Sequence, residues 1–181
     1  MSVFYRLMKK GYMMIKSRKS AKKRMMFIQR EDYNFLTYNF LILLNELNCV
    51  SEDKRFNDFR KIAYLVEFIS NNNIAIEEYT EIELSNIYLR AQLKKKLLSH
   101  LIITLKNKQY LGISLNTTHR TLDVWINKEK IPDDFFNSEH FFQEVSNIQK
   151  LKKFAKISPK QTLKTMIEKL YNDRGVLTWE I

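Results

Sequence analysis

The sequence predicts a mainly α-helical protein of the α+β class. Three observations carry that expectation. The 181 residues include only three Gly and two Pro, too few chain breakers for a many-turned β-sandwich. Apolar residues recur at helical spacing through most of residues 33–105. One short stretch, residues 110–126, switches to two-residue alternation around a turn. A hydrophobic content of 45%, with 12 Phe and 9 Tyr, is ample for a single core.

The first helix is expected over 33–47, after the acids Glu31 and Asp32, which suit a helix N-terminus. Leu36, Phe40, Leu43, Leu44 and Leu47 share a face, and Leu41 and Ile42 make other faces apolar too. Such a helix belongs in a core or an interface. The polar stretch 48–55 connects to a second helix over 56–70, with Phe59, Ile62, Ala63, Val66 and Ile69 on one stripe. Asn71–Asn73 ends it.

A third helix starts near Ile82. Leu84, Ile87, Ala91, Lys94, Leu98, Leu101 and Leu105 follow intervals of 3, 4, 3, 4, 3 and 4. This is a packing seam with one lysine in it. Either Lys94 leads its charge to the surface from a core stripe, or it sets register against another chain's helix. "YLGISL" and "RTLDVWI" then form a hairpin across a four-residue loop. A fourth helical region is expected over 133–154, and a last helix capped by Ser158, with Pro159 in its first turn and Gln161 completing a capping box. This helix should stop near Gly175, and "VLTWEI" reads as a short terminal strand.

Helix, helix, helix, hairpin is the order of a winged-helix domain. The expected fold is therefore mainly α, a winged-helix-like core with a β-hairpin and additional C-terminal helices. Residues 1–30 form a basic N-terminal arm, 31–130 the winged-helix-like core, and 131–181 a C-terminal helical extension.

Charge is divided sharply between these parts. The chain holds 31 basic and 20 acidic residues, but residues 1–30 contain ten of the basic ones and no acid. The other 151 residues are close to neutral. Lys16, Arg18, Lys19, Lys22, Lys23 and Arg24 form the densest run, suited to phosphate through counterion release. DNA is the partner this run favours. An anionic membrane surface is its rival, and the plainer alternative is a solvated tail that helps solubility or touches an acidic protein. On the third helix, Lys95 and Lys96 are the matching candidates for phosphate contact.

The chemistry of an enzyme is not visible in this pattern. His100, His119 and His140 fall in different elements without metal-ligand spacing, and there is no glycine-rich phosphate loop. Asp32, Glu52 and Lys54 loosely follow a nuclease pattern. Such carboxylates must converge at strand ends, whereas Glu52 lies between two helices and Asp133-Asp134 opens another. The expectation is no enzyme, no cofactor, no metal and no small-molecule substrate. Cys49, the one cysteine, follows an apolar run and reads as a small buried hydrophobe. No run approaches the ~20 apolar residues of a membrane span, and no signal-peptide pattern follows the basic start. A cytoplasmic protein is expected.

"FLTYNFLILLNELNC", "FNDFRKIAYLVEFIS" and "LKKKLLSHLIITLKNKQYLGISL" together resemble the middle or accessory components of bacterial three-component ABC-ATPase systems, among them the Lamassu-type antiphage systems. The resemblance covers about residues 33–126 and rests on pattern and element order. It implies an SMC-like coiled-coil ATPase subunit and an effector nuclease as partners, an accessory chain without catalytic residues, and a role in holding DNA. It assigns no site residue. The function expected on this basis is a non-enzymatic accessory subunit bridging a partner protein and DNA. The alternative is a stand-alone winged-helix transcription regulator with residues 90–96 in the major groove.

Overall fold

The computed structural model describes residues 33–70, 76–137 and 139–179. The chain divides into Met1–Phe35, of which only 33–35 are described, and a compact unit Leu36–Ile181. The protein is mainly helical with one small antiparallel sheet, as its composition predicts.

Helix α1 spans residues 33–46, and Leu36, Phe40, Leu43 and Leu44 are buried along it. Helix α2, Arg60–Ser70, is the axis of the unit: every residue from Lys61 to Ile69 is buried. Helix α3, Glu81–Asn107, packs along α2. Strands β1, Leu111–Asn116, and β2, Thr121–Ile126, pair antiparallel from Leu111–Ile126 to Asn116–Thr121. The turn between them closes with Arg120 in the left-handed region. Helices α4, Phe142–Ala155, and α5, Leu163–Leu170, both pack on α2. The residues after 131 thus share the core of the rest. Tyr64, Tyr88 and Tyr171 meet at its centre, with ring centroids 5.3–6.0 Å apart. Cys49 is fully buried, and burial pushes its thiol up to about 12.

Five expectations about the elements are corrected, most of them by a tertiary partner. The second helix begins at Arg60 and not at residue 56. Phe56 instead forms a bridge with Val124 of β2, with N–H···O distances of 2.8 and 3.0 Å, and Asp58 turns the chain at φ 57°. Residues 133–137 and 139–141 are not α-helical. Asp133–Phe136 is a 3₁₀ turn, and Phe135 and Phe141 lie against Tyr38 of α1 at 5.9 and 6.1 Å. Ser158 caps no helix. The carbonyls of Pro159 and Gln161 face the ammonium of Lys61 at 2.8 and 2.6 Å, and α5 starts a turn later, where the Thr162 hydroxyl accepts from the Thr165 N–H. Helix α5 stops at Leu170, and Gly175 ends the following 3₁₀ turn at φ 86°, a conformation that favours glycine. Residues 176–179 form no strand; Trp179 sets its ring edge-on to Tyr88 at 4.9 Å.

Candidate functional site

Helix α3 is the element whose surface is not explained by folding. Its start is fixed locally. The Thr80 hydroxyl accepts from the Glu83 N–H at 3.3 Å while the Glu83 carboxylate accepts from the Thr80 N–H at 2.8 Å, a reciprocal cap. That hydrogen bonding holds the exposed Glu83 carboxyl below its ordinary value. Gln109, at φ 63°, ends the helix, and the Tyr110 N–H closes it on the Leu105 carbonyl. Between these ends run 27 residues, about 40 Å of helix.

The inner face follows the predicted seam. Leu84, Ile87, Ala91, Leu98, Leu101 and Leu105 are all buried, and α2 and β1 pack against this helix. Lys94 belongs to this intramolecular seam. It pairs with Glu67, a carboxylate on α2 whose side chain is only 5% exposed, and Arg90 reaches the other oxygen of Glu67 at 3.3 Å. A carboxylate at that depth is tolerable only when paired, so these two cations, though partly open to solvent, are tied to Glu67.

The opposite face is apolar as well, and open. Ile82, Leu89, Leu93 and Ile103 are 74, 47, 79 and 58% exposed. At about 100° per residue they fall on one stripe, with Lys96 and His100 between them. A monomer normally scatters such side chains. A row of them along one helix is an uncommon surface for a chain that meets only water.

The candidate phosphate residues separate on this helix. Lys95 turns toward the body: its ammonium lies 4.9 Å from the Tyr64 ring centroid, and burial, with the Arg60 guanidinium adding to it, lowers its pKa to about 8. Lys96 is exposed on the outer face. The two are adjacent in sequence but do not converge. Lys16, Arg18, Lys19, Lys22, Lys23 and Arg24 lie outside the described residues.

Beside α3, a buried charged cluster fastens the hairpin. One Asp123 oxygen accepts from the Asp58 N–H and from the Asn116 amide, each at 2.9 Å, and the other meets Arg55 at 3.1 Å. Asp58 in turn grips the Arg60 side chain at 2.8 and 2.7 Å and accepts from the Thr121 hydroxyl at 3.2 Å. Burial alone would raise the Asp58 carboxyl; Arg60 and Thr121 outweigh it and hold it below its usual range. Lys61, almost fully buried, lies 4.3 Å from the Phe56 ring centroid as well as facing two carbonyls, and burial lowers its pKa to about 8.

Among the described residues no three of His, Cys, Asp and Glu gather as metal ligands. A cavity of about 390 Å³ lies at the C-terminal ends of α4 and α5, lined by Lys156, Lys169, Asp173 and Arg174. Its cations sit where helix carbonyls attract them, and Arg174 already donates to the carbonyls of Glu77 and Tyr79. Among the described residues no helix is long and apolar enough to cross a membrane.

Sequence reasoning found the inner seam of α3 and missed the outer one, although the signal was there: Ile82, Leu89, Leu93 and Ile103 lie 7, 4 and 10 residues apart. It also missed the Asp58–Asp123 cluster, which joins residues 65 apart and leaves no local pattern. No protein family, no curated protein and no solved structure matches this chain.

Proposed function

We propose that this chain is a non-enzymatic accessory subunit of an SMC-like ATPase antiphage defence complex, bridging its partner proteins, the ATPase and an effector nuclease, to DNA. The observation that carries the adaptor role is the open apolar stripe of α3, a surface suited to another protein's helix. The resemblance of residues 33–126 supplies the kind of assembly. The +10 arm, with Lys16 to Arg24 at its centre, supplies the contact to DNA phosphates.

A winged-helix core is the finer form of the fold we propose with it. The order α1, Phe56 bridge, α2, α3, β1, β2 supports it, because the bridge adds a third, short strand position beside β2. The same order favours a second reading, a stand-alone winged-helix regulator with residues 90–96 in the major groove. Against that role, Arg90 and Lys94 pair with Glu67, Lys95 lies on Tyr64, and Leu89 and Leu93 occupy the outward face. Base edges are read mainly by donors and acceptors.

Size-exclusion of the purified chain, alone and with the products of neighbouring genes, separates the two. A stable hetero-complex is the expected result. A homodimer that shifts one DNA sequence in preference to others would refute the adaptor. For the arm, DNA affinity should fall steeply with salt and weaken when residues 1–24 are deleted. An unchanged affinity and salt slope after that deletion would remove the arm from the mechanism, and co-sedimentation with anionic vesicles tests its membrane rival.

A further inference from the structure

We infer that the outer face of α3 is a docking seam for one acidic amphipathic helix of a partner chain, in coiled-coil register. The inference rests on the adaptor reading and specifies its partner. Ile82, Leu89, Leu93, Lys96, His100 and Ile103 are separated by 7, 4, 3, 4 and 3 residues. Asn86 fills the one skipped position, so the stripe is an unbroken alternation of 4 and 3. That is the a/d pattern of a coiled coil, with polar residues at some positions to fix register. The seam on α3's other side is occupied by α2 and cannot serve.

The charge of the helix selects the occupant. From Leu84 to Asn107 it carries not one Asp or Glu; Arg90 and Lys94 are taken by Glu67 and Lys95 lies on Tyr64, which leaves Lys96 on the stripe and the exposed Lys106 near its end to meet an incoming helix. A partner helix with acids facing Lys96 and Lys106 satisfies those two cations, while its own Leu-type residues cover Leu89, Leu93 and Ile103. A second copy of α3 fits badly. Parallel pairing sets Lys96 against Lys96, and the antiparallel pairing that matches the helix ends sets Leu93 against Lys96 and Leu89 against His100. Nucleic acid would meet the cations but leave Ile82, Leu89, Leu93 and Ile103 against a polar ligand.

The probe is a designed 28-residue helical peptide with Leu at its a and d positions and Glu at e and g, labelled for fluorescence anisotropy against the full-length protein. A peptide with Lys in place of Glu is the control. The wild type should bind the Glu peptide at micromolar concentration and the Lys peptide about tenfold more weakly or worse. Leu89→Ser with Leu93→Ser should weaken the Glu peptide about tenfold or more and leave the thermal midpoint in place, since both side chains are exposed. Lys96→Glu should reverse part of the preference. Equal binding of the two peptides, no binding of either, or wild-type affinity in the double variant overturns the proposal. So does a homodimer that the double variant dissolves, or a DNA duplex whose binding the double variant abolishes. The same double variant in the hetero-complex assay separates the two levels. A complex that survives it sinks the seam and leaves the adaptor standing, whereas failure of the wild type to form any complex sinks the adaptor.

Discussion

Replacing Asp123 by alanine tests how the hairpin is held to the helices. Asp123 is 1% exposed and its carboxylate takes three donors: the Asp58 N–H, the Asn116 amide and Arg55. The three losses differ in size. The Asp58 N–H is buried, and an orphaned buried donor costs about 1–3 kcal/mol. Asn116 is half-buried and can turn partly to water. The Arg55 side chain is 43% exposed and returns to solvent, so its share is at most about 1 kcal/mol. With the small void left behind, Asp123→Ala should cost about 3–4 kcal/mol. Asp123→Asn keeps the volume and one acceptor for Asp58, and should cost about 1–2 kcal/mol. Urea unfolding followed by far-ultraviolet circular dichroism reads both, provided the slope against denaturant is unchanged. An alanine variant within about 1 kcal/mol of wild type would show that the carboxylate is not what anchors the hairpin. An asparagine variant as damaged as the alanine one would refute the ranking of the three contacts.

Other outcomes follow from the same geometry. Lys61 gives up its proton near pH 8 in the fold and near 10.5 when unfolded, so the unfolded chain binds more protons between those values and stability rises with pH. The Cys49 thiol, at about 12 against 9.0, opposes the rise above pH 9. Stability measured by urea unfolding should therefore increase by roughly 0.5–1 kcal/mol from pH 8 to 9 and then level off. Lys61→Met should remove most of that increase, the half-exposed Lys95 leaving a smaller part. Gly112 lies under Trp125, and a Cβ there would come within 2.0 Å of the indole. Gly112→Ala should cost about 1–3 kcal/mol and red-shift the tryptophan emission as the ring lifts away. Thr80→Ala removes the hydroxyl half of the α3 cap and should cost about 1 kcal/mol by thermal unfolding.

What the sequence disclosed, and what it hid, divides by the range of the forces. The inner seam of α3 and the alternation of the hairpin are repeated many times within one element, so a period reveals them. The start of α2 is different. Phe56 and Asp58 carry no sign that Val124 and Asp123 will claim their backbone, and Asp58 takes a left-handed turn that a helical count does not foresee. Pro159 and Gln161 make a sound local cap with Ser158, but Lys61, a hundred residues away, draws their carbonyls outward. Phe135 and Phe141 likewise satisfy a helical pattern, yet the rings of α1 hold them. In each case a long-range partner outbids a local preference of about 1 kcal/mol.

The same distinction governs how lysines and arginines on the body should be counted. "RAQLKKK" looks like a phosphate-binding strip when read along the chain. In three dimensions Arg90 and Lys94 hold a buried carboxylate, Lys95 lies on an aromatic face, and Lys96 alone stands on the outer stripe. Arg55 and Arg60 are tied in the same way to Asp123 and Asp58. A cation that neutralises a carboxylate buried beside it brings little net field to a distant phosphate; Arg55 and Arg60 are offset one for one, and Arg90 with Lys94 leaves one net charge over Glu67. The proposed contact with nucleic acid therefore rests on the arm, since residues 1–30 contain no acid to offset ten bases. The proposed docking seam on α3 is of another kind. It rests on apolar side chains in register, with Lys96 selecting the helix, so if both proposals hold, raising salt should loosen DNA from the arm while leaving a partner helix on α3 largely in place.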